Sequence, residues 1–251
     1  GDMNLYATAY SMQAAGLDYL AAHSLLVFLY SLSMGRGAGY GAVQLEELAT
    51  AALLHDIGMQ QLADLAVKAD ELTDADIVRL RQHAALGADI LSRWPGLPDI
   101  VRSAVHQHHE RSDASGYPQA LGRHSICEYA KIIGLVDAYV FLIRPRFPAS
   151  GTDPVTAIKT VLEDKKRFSQ RLLKLLVERI SVFPAGSRVE LNTGERAVVT
   201  RLNYENPLRP EVRIDLDAAG ERLLQPKVLD LMRHPTIFVR AAIQSGSSSG
   251  G

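Results

Sequence analysis

The sequence predicts a mainly α-helical protein that is followed, towards its C-terminal end, by a small antiparallel β module. Apolar residues recur at helical spacing over most of the first 183 residues. After Phe183-Pro184 the pattern changes to short, β-branched or alternating runs that turn residues separate. The hydrophobic fraction of 47% and charged fraction of 22% are those of a globular chain with a buried core. We therefore expect a helical domain over 4–183, a β module over 184–241 and a disordered tail over 242–251.

The helical domain is predicted to contain about seven helices. The first is long, covers 4–34, and ends at a run with four glycines in seven positions. Thr73 is a favourable N-cap for the third helix, and Asp153-Pro154 forms a cap followed by proline at the first helical position of the sixth. The remaining helices are expected over 45–56, from 73 to before Trp94, 98–109, 125–143, from 154, and 168–182.

The β module is predicted from three runs with strand character, Ser187–Leu191, Arg196–Leu202 and Glu211–Leu216. Turns containing Asn, Gly or Pro separate them. The sequence identifies no chemistry in this module, which either covers the helical core or binds a partner.

Composition excludes several functional classes. A net charge of −1 gives no general attraction to nucleic acid or anionic membranes, and no apolar run reaches the ~20 residues of a membrane span. The single cysteine, Cys127, excludes an internal disulfide framework and is expected to be a core residue. A reducing compartment fits this, so we expect a cytoplasmic protein. Gly1-Asp2-Met3 looks like an expression remnant before a truncated start, so we expect an upstream domain to be missing.

Candidate metal ligands are spread over five helices or helix ends. Imidazole suits iron, manganese, nickel or zinc, and a carboxylate can bridge two ions. Asp137 is the most telling, because it lies in an apolar run where an unpaired carboxylate would cost several kcal/mol. Its alternative role is an ion pair with Arg144 or another base. The full set is His23, His55, Asp56, His83, His108, His109 and Asp137.

The adjacent pair His55-Asp56 suits the end of a helix. Neighbouring helical residues point about 100° apart, so the two side chains do not form equivalent ligands on one face. Gly58 fits such an end because glycine tolerates the left-handed backbone that closes helices. Each histidine also has a plainer interpretation: His23 and His83 as packing or exposed residues, and the tandem His108-His109 as a surface pair.

The motifs together resemble a known family. The order is His55-Asp56-Ile-Gly58, His83 with Gly87, His108-His109-Glu110-Arg111, Asp113-Ala-Ser-Gly116-Tyr117-Pro118, and Asp137. In order and spacing this is similar to the HD-GYP branch of the HD phosphohydrolase superfamily. The resemblance covers about residues 15–150, and the later helices and β module look like a C-terminal extension of many such proteins.

The resemblance implies a helical core with two or three metals, often iron or manganese, that cleaves cyclic di-GMP to pGpG and GMP. By this resemblance His23, His55, Asp56 and Asp137 hold one metal, and Asp56 bridges to a second held by His83, His108 and His109. Asp56 and His55 are the expected catalytic residues. Some relatives hold a third metal with a glutamate where this chain has Tyr19, so we expect two. The attacking hydroxide is expected between the ions, opposite Asp56.

The residues around the ligands carry further expectations. Arg144 and Lys131 are candidate phosphate contacts, although Lys131 is also a natural partner for a structural ion pair. Glu110 and Arg111 are expected to orient the ligands. The run Gly116-Tyr117-Pro118 is expected to form a rigid lip beside the site and a surface for a signalling protein partner, or simply a structural turn.

Two residues depart from the family pattern. Met59 stands where a lysine usually follows the His-Asp-Ile-Gly motif, and Val140 stands where a second acid is usual. The leading hypothesis is a metal-dependent cyclic di-GMP phosphodiesterase. Two alternatives stay open: a phosphohydrolase for another nucleotide, such as a mixed cyclic dinucleotide, and a weak or inactive module that binds nucleotide or partner proteins.

Overall fold

The computed structural model describes most of the chain. The predicted first 15 residues of the first helix, 4–18, lie outside the described residues, as does the tail from 244. The described residues are 19–66, 72–144, 151–152, 154–179, 183, 186–201, 203, 206 and 208–243.

Within these residues the chain forms nine α-helices and one 3-10 helix. The 3-10 helix covers Ile57–Leu62. The α-helices are α1 (Tyr19–Gly37), α2 (Ala42–Leu54), α3 (Ala63–Ala66), α4 (Asp74–Leu80), α5 (His83–Ser92), α6 (Asp99–Gln107), α7 (Glu128–Ile143), α8 (Pro154–Glu163) and α9 (Gln170–Arg179).

The predicted third helix is two helices in the structure. Thr73 caps α4 as expected, with its hydroxyl accepting from the backbone N–H of Asp76 and its own N–H donating to the Asp76 carboxylate at 2.9 Å. The helix ends at Leu80, and α5 begins two residues after Arg81. This interruption puts His83 at the first position of a new helix, where helical periodicity does not predict its direction.

Helix α7 lies in the centre of the helical core. Ten of its 16 residues are buried, which fits a helix that is apolar nearly all round. It packs against α1 and α6, and Tyr139 meets Tyr30 of α1 edge to face with ring centres 5.6 Å apart. Cys127 is the partly buried residue just before α7 and packs against this core.

The C-terminal module is a five-stranded antiparallel sheet in the order β4-β3-β2-β1-β5. Its inward side chains, such as Val189 and Val212, belong to the same apolar cluster as the helical core. The strands are β1 (Arg188–Leu191), β2 (Arg196–Arg201), β3 (Glu211–Leu216), β4 (Arg222–Asp230) and β5 (Val239–Ala242).

The sequence predicted β1, β2 and β3 but not the two outer strands. β4 is mostly exposed, so it lacks the alternation of a half-buried strand, and it contains Pro226. Proline is tolerated there because β4 is an edge strand, where one side of the backbone has no partner among the described strands. The predicted class, a helical core followed by a small antiparallel β module, is confirmed. None of the described helices is both long and apolar enough to span a membrane.

Candidate metal centre

The seven predicted ligand residues come together at one place in the helical core. They are contributed by α1, the end of α2, the start of α5, the end of α6 and α7. Six of the seven form two groups, within each of which the ligand atoms lie within 4.8 Å of one another. One group is Asp56, His83, His108 and His109, and the other is His23, His55 and Asp56.

Asp56 belongs to both groups, and its two carboxylate oxygens face different histidines. Oδ1 lies 3.3 Å from Nε2 of His83 and 3.8 Å from Nε2 of His108. Oδ2 lies 3.5 Å from Nε2 of His55. Asp56 therefore faces both groups of histidines.

Asp137 lies beside the two groups rather than inside either. Its Oδ1 is 3.0 Å from Nε2 of His23, and its Oδ2 is 3.8 Å from Nδ1 of His109. Among the described residues, histidines are therefore the partners of this buried carboxylate, and no ion pair joins it to Arg144.

Backbone carbonyls set the orientation of three of the histidines. Nδ1 of His55, His83 and His108 lies 2.8, 2.5 and 2.6 Å from the carbonyl oxygen three residues earlier. With Nδ1–H donating to that oxygen, Nε2 keeps a lone pair that points into the cluster. This is the tautomer that a metal ligand needs.

The Nε2 atoms of these histidines lie close to one another. Nε2 of His83 lies 3.2 Å from Nε2 of His108 and 3.0 Å from Nε2 of His109. Nε2 of His55 is buried and has no hydrogen-bond partner in the described part of the chain. Facing lone pairs repel unless a proton or metal ion lies between them, so the residues present fit a divalent metal.

The ionisation pattern agrees with that fit. Burial, with His55 and His83 nearby, lowers the pKa of His108 to about 3, and burial with His108 nearby holds the pKa of His109 well below its usual value. Burial by itself would raise the pKa of Asp56, but the surrounding histidines outweigh it and the pKa falls. Neutral imidazoles and ionised carboxylates are the forms that bind metals.

His23 differs from the other histidines in its electrostatics. Burial lowers its pKa, but the hydrogen bond to Asp137 and the nearby carboxylates outweigh burial, so the pKa is raised. The same contact, with burial opposing it, holds the pKa of Asp137 well below its usual range.

Glycines let three elements approach the backbone of His83, His108 and His109, which we call the three-histidine group. A Cβ at Gly58 would lie 2.0 Å from the carbonyl oxygen of His83, and one at Gly134 would lie 2.2 Å from that of His108. A Cβ at Gly116 would lie 2.4 Å from the carbonyl oxygen of His109. The expectation that Gly58 closes a helix in the left-handed conformation is wrong: its φ is not positive, and close packing requires the glycine.

Glu110 and Arg111 hold the segments around the tandem histidines. The buried Glu110 carboxylate accepts hydrogen bonds from the backbone N–H groups of Gln119 and Leu121, at 2.7 and 2.8 Å. Arg111 Nη1 donates to the carbonyl oxygens of His108 and Glu110, both at 2.9 Å. Glu110 thus fixes the loop after Pro118, while Arg111 fixes the backbone of His108.

Tyr117 borders the three-histidine group. Its ring stacks on His109 with centres 4.6 Å apart and planes 25° apart, and its edge-on distance to His83 is 6.3 Å. The guanidinium of Arg81 lies 5.4 Å from the Tyr117 ring centre. The sequence did not indicate Arg81, because its contact joins the residue after α4 to a loop that is distant along the chain.

Tyr19 and Arg144 lie at the other end of the cluster. The Tyr19 ring stacks on His23 with centres 5.6 Å apart, and its hydroxyl donates to the backbone carbonyl of Arg144 at 3.3 Å. Arg144 follows the last residue of α7, and its Nη1 is buried without a hydrogen-bond partner in the described residues. Tyr19 therefore contributes an aromatic contact and a hydrogen bond at this end of the cluster, and it offers no carboxylate.

Lys131 is already paired, and Met59 and Val140 are buried among apolar residues. Lys131 forms an ion pair with Glu128 at 2.9 Å, the structural alternative that the sequence left open. Met59 is 3% exposed and packs in a separate apolar cluster with Leu62 and Leu65. Val140 is fully buried in the main core.

The fold and the site define a helical protein with a histidine–aspartate cluster able to hold metal. Residues 11–172 match the HD domain family, and residues 188–249 match the KOW domain associated with HD domains. The chain therefore belongs to the HD domain family, and the resemblance indicated by its motifs is confirmed.

Similar proteins of this family include two bacterial enzymes. The chain is 27% identical over 217 residues to a cyclic di-GMP phosphodiesterase of Pseudomonas aeruginosa, covering 86% of this chain and 52% of that one. It is 26% identical over 197 residues to the cyclic di-GMP phosphodiesterase PdeB of Borreliella burgdorferi, covering 78% of this chain and 52% of that one. The chain thus spans about half the length of these relatives.

A solved structure supports the fold. An HDG"Y"P protein from Bdellovibrio bacteriovorus superimposes with a TM-score of 0.54 at 20% identity, over 63% of this chain and 51% of that one. At this identity the likeness establishes the shared fold.

Proposed function

We propose that this chain is a metal-dependent phosphodiesterase that hydrolyses cyclic di-GMP to pGpG, GMP or both. The observation that carries the proposal is Asp56, whose two oxygens face two separate histidine groups. The names of the two similar enzymes support the substrate class.

The proposed centre holds two divalent ions, iron or manganese. His23, His55, Asp56 and Asp137 would hold one, and Asp56 with His83, His108 and His109 the other. Imidazole nitrogens and carboxylates are a donor set that both metals accept. When bound, two such ions lower the pKa of water and offset charge that develops on a phosphodiester.

The surrounding residues would bind and orient the substrate. Asp56 and His55 are the proposed catalytic residues, since they would hold the cations at the reacting group. The buried Nη1 of Arg144, which has no hydrogen-bond partner within the described ranges, is the proposed donor to a phosphate oxygen. Tyr117, stacked on His109, would limit the entry of water from its side.

The direct test is hydrolysis by the reconstituted protein. Purified chain is loaded anaerobically with iron(II) or manganese(II) and incubated with cyclic di-GMP, and the products are separated by chromatography. We expect pGpG or GMP, and loss of product in Asp56→Ala. Asp64→Ala, which removes an exposed acid eight residues later, is the matched control and should retain activity.

Met59 and Val140 favour a second candidate, a module that binds nucleotide or a partner protein without turnover. Neither side chain can assist catalysis, because both are buried among apolar residues. Binding of cyclic di-GMP with about two metals bound and no product would favour this candidate. Including 3′3′-cGAMP in the assay tests the remaining possibility, a mixed cyclic dinucleotide as substrate.

We also propose the domain boundaries, the cellular location and the partner surface that the sequence suggests. We propose helical and β units over 4–183 and 184–241, a cytoplasmic location, and a protein partner for the Gly116-Tyr117-Pro118 lip. The single cysteine supports a reducing compartment, and the stacked Tyr117 supports a rigid lip.

A further inference from the structure

Arg81 is a cation beside the metal centre that has no acidic partner among the described residues. It is the exposed residue directly after α4, two positions before the ligand His83. No described carboxylate lies within 4.0 Å of its guanidinium, and the guanidinium donates no hydrogen bond to the described part of the chain. Its contact is with the ring of Tyr117, whose centre lies 5.4 Å away. Arg79 differs, since it pairs with Asp64 at 2.9 Å.

The residue before Arg81 holds this part of the backbone in place. The carbonyl oxygen of Leu80 lies 2.5 Å from Nδ1 of His83 and orients that ligand. The side chain of Leu80 packs against the apolar cluster that contains Met59. Arg81 therefore follows a residue that contacts both a metal-ligand candidate and an apolar cluster, so little ordering of its backbone is needed when a ligand binds.

Tyr117 links Arg81 to the three-histidine group. Its ring stacks on His109 with centres 4.6 Å apart, so one aromatic ring contacts both Arg81 and a ligand residue. A contact with an aromatic ring leaves the N–H donors of a guanidinium available to a bound molecule. At the other end of the cluster, Nη1 of Arg144 is buried without a hydrogen-bond partner in the described residues. An arginine donor is thus available at each end of the cluster.

We propose that Arg81 is a substrate-binding residue that holds the second phosphate of a cyclic dinucleotide, the one that is not at the metals. This inference rests on the proposed function. A cyclic dinucleotide carries two phosphodiester anions, and only one of them is at the metals when it is cleaved. Arg81 offers the other anion a planar set of N–H donors, which matches phosphate oxygens. Met59 cannot supply this charge, because it is buried among apolar residues.

The test measures binding to the full chain loaded with manganese(II). The probe is the bisphosphorothioate analogue of cyclic di-GMP, in which sulfur slows hydrolysis, and calorimetry gives its affinity. Arg81→Met keeps the apolar stem and removes the charge, so we expect binding about tenfold weaker, the effect of losing one charge-assisted hydrogen bond. Arg81→Lys keeps the charge without the planar group, so its affinity should lie between those of Arg81→Met and the unmodified chain.

Arg79→Met is the matched control. It removes an exposed arginine of α4 whose charge is already paired with Asp64, so the affinity should not change. Bound manganese per chain and the affinity for GMP, which has a single phosphate, should be the same in every variant. Less bound manganese in Arg81→Met, or an equal loss of affinity for GMP, would show that Arg81 only supports Tyr117 and the ligands, and would overturn the proposal.

A parallel hydrolysis assay with cyclic di-GMP separates this inference from the proposed function. Hydrolysis together with unchanged affinity in Arg81→Met overturns the role of Arg81 and leaves the phosphodiesterase standing. Weaker binding by Arg81→Met without hydrolysis by any of the proteins supports the role of Arg81 and refutes the phosphodiesterase. If the unmodified chain does not bind the analogue, the role of Arg81 is overturned.

Discussion

Among single residues, the glycines beside the site matter as much as the ligands, because no larger side chain fits at their positions. Gly134 receives the carbonyl oxygen of His108, and a Cβ there would lie 2.2 Å from that oxygen. Helical periodicity identifies Gly134 as a buried position of α7, but it does not show that the backbone of His108 packs against this residue.

Gly134→Ala should therefore displace His108 and weaken metal binding at the three-histidine group. We expect about one bound manganese per chain instead of two, and a loss of about 1–3 kcal/mol in the free energy of unfolding. Metal analysis after dialysis and chemical denaturation measure both. Gly122→Ala, with no atom within 4 Å of its Cβ and no positive φ, is the control. Two tightly bound metals in Gly134→Ala would contradict the role.

The substitution Met59→Lys introduces the lysine that the family pattern predicts at this position. Met59 packs with Leu62 and Leu65, so Met59→Lys places an ammonium in an apolar cluster. We expect the free energy of unfolding to fall by about 2–4 kcal/mol and phosphodiesterase activity not to rise. Met59→Leu conserves the volume and should cost less than about 1.5 kcal/mol. A gain in activity with unchanged stability would show that residue 59 reaches the substrate.

At the scale of elements, the loop after the tandem histidines is held by one side chain. Glu110→Gln keeps the shape of Glu110 but replaces one acceptor oxygen by a donor, so one of the N–H groups of Gln119 and Leu121 loses its partner. We expect a loss of about 1.5–3 kcal/mol in stability and faster hydrogen exchange at these two amides. Glu128→Gln changes an exposed glutamate and should leave exchange in the loop unchanged. Unchanged exchange in Glu110→Gln would show that other contacts hold the loop.

At the scale of the whole molecule, the buried histidines link stability to pH. His108 and His109 have pKa values lowered by burial, so the unfolded chain binds protons below about pH 6.5 that the folded chain does not bind. Acidification therefore destabilises the metal-free fold, with His23, whose pKa is raised, opposing this in part. From pH 7 to pH 5.5 we expect the free energy of unfolding to fall by about 1–2 kcal/mol.

Denaturation of metal-free protein at several pH values measures this slope. His108→Gln should reduce it, and His124→Gln, which changes an exposed histidine outside the cluster, should not. A metal-free protein that becomes more stable between pH 7 and pH 5.5 would contradict the assigned directions.

The parts of the fold that could be predicted are those that local sequence patterns specify. Helical periodicity and the cap at Thr73 predicted the helical order, and alternation predicted β1 to β3. β4 was missed because an exposed edge strand has no alternating burial, and the break between α4 and α5 was missed because apolar spacing continues across it. The burial of β4 and the break before α5 both depend on which neighbouring elements pack against these segments.

The fold class, the family and the candidate ligands follow from the residue types and their order along the chain. Three contacts could be seen only in the folded structure: Asp56 faces two histidine groups, Asp137 meets His23 rather than Arg144, and Met59 packs in an apolar cluster. Ligands from five elements meet through packing between segments far apart in sequence, and no local pattern specifies which atoms then face each other.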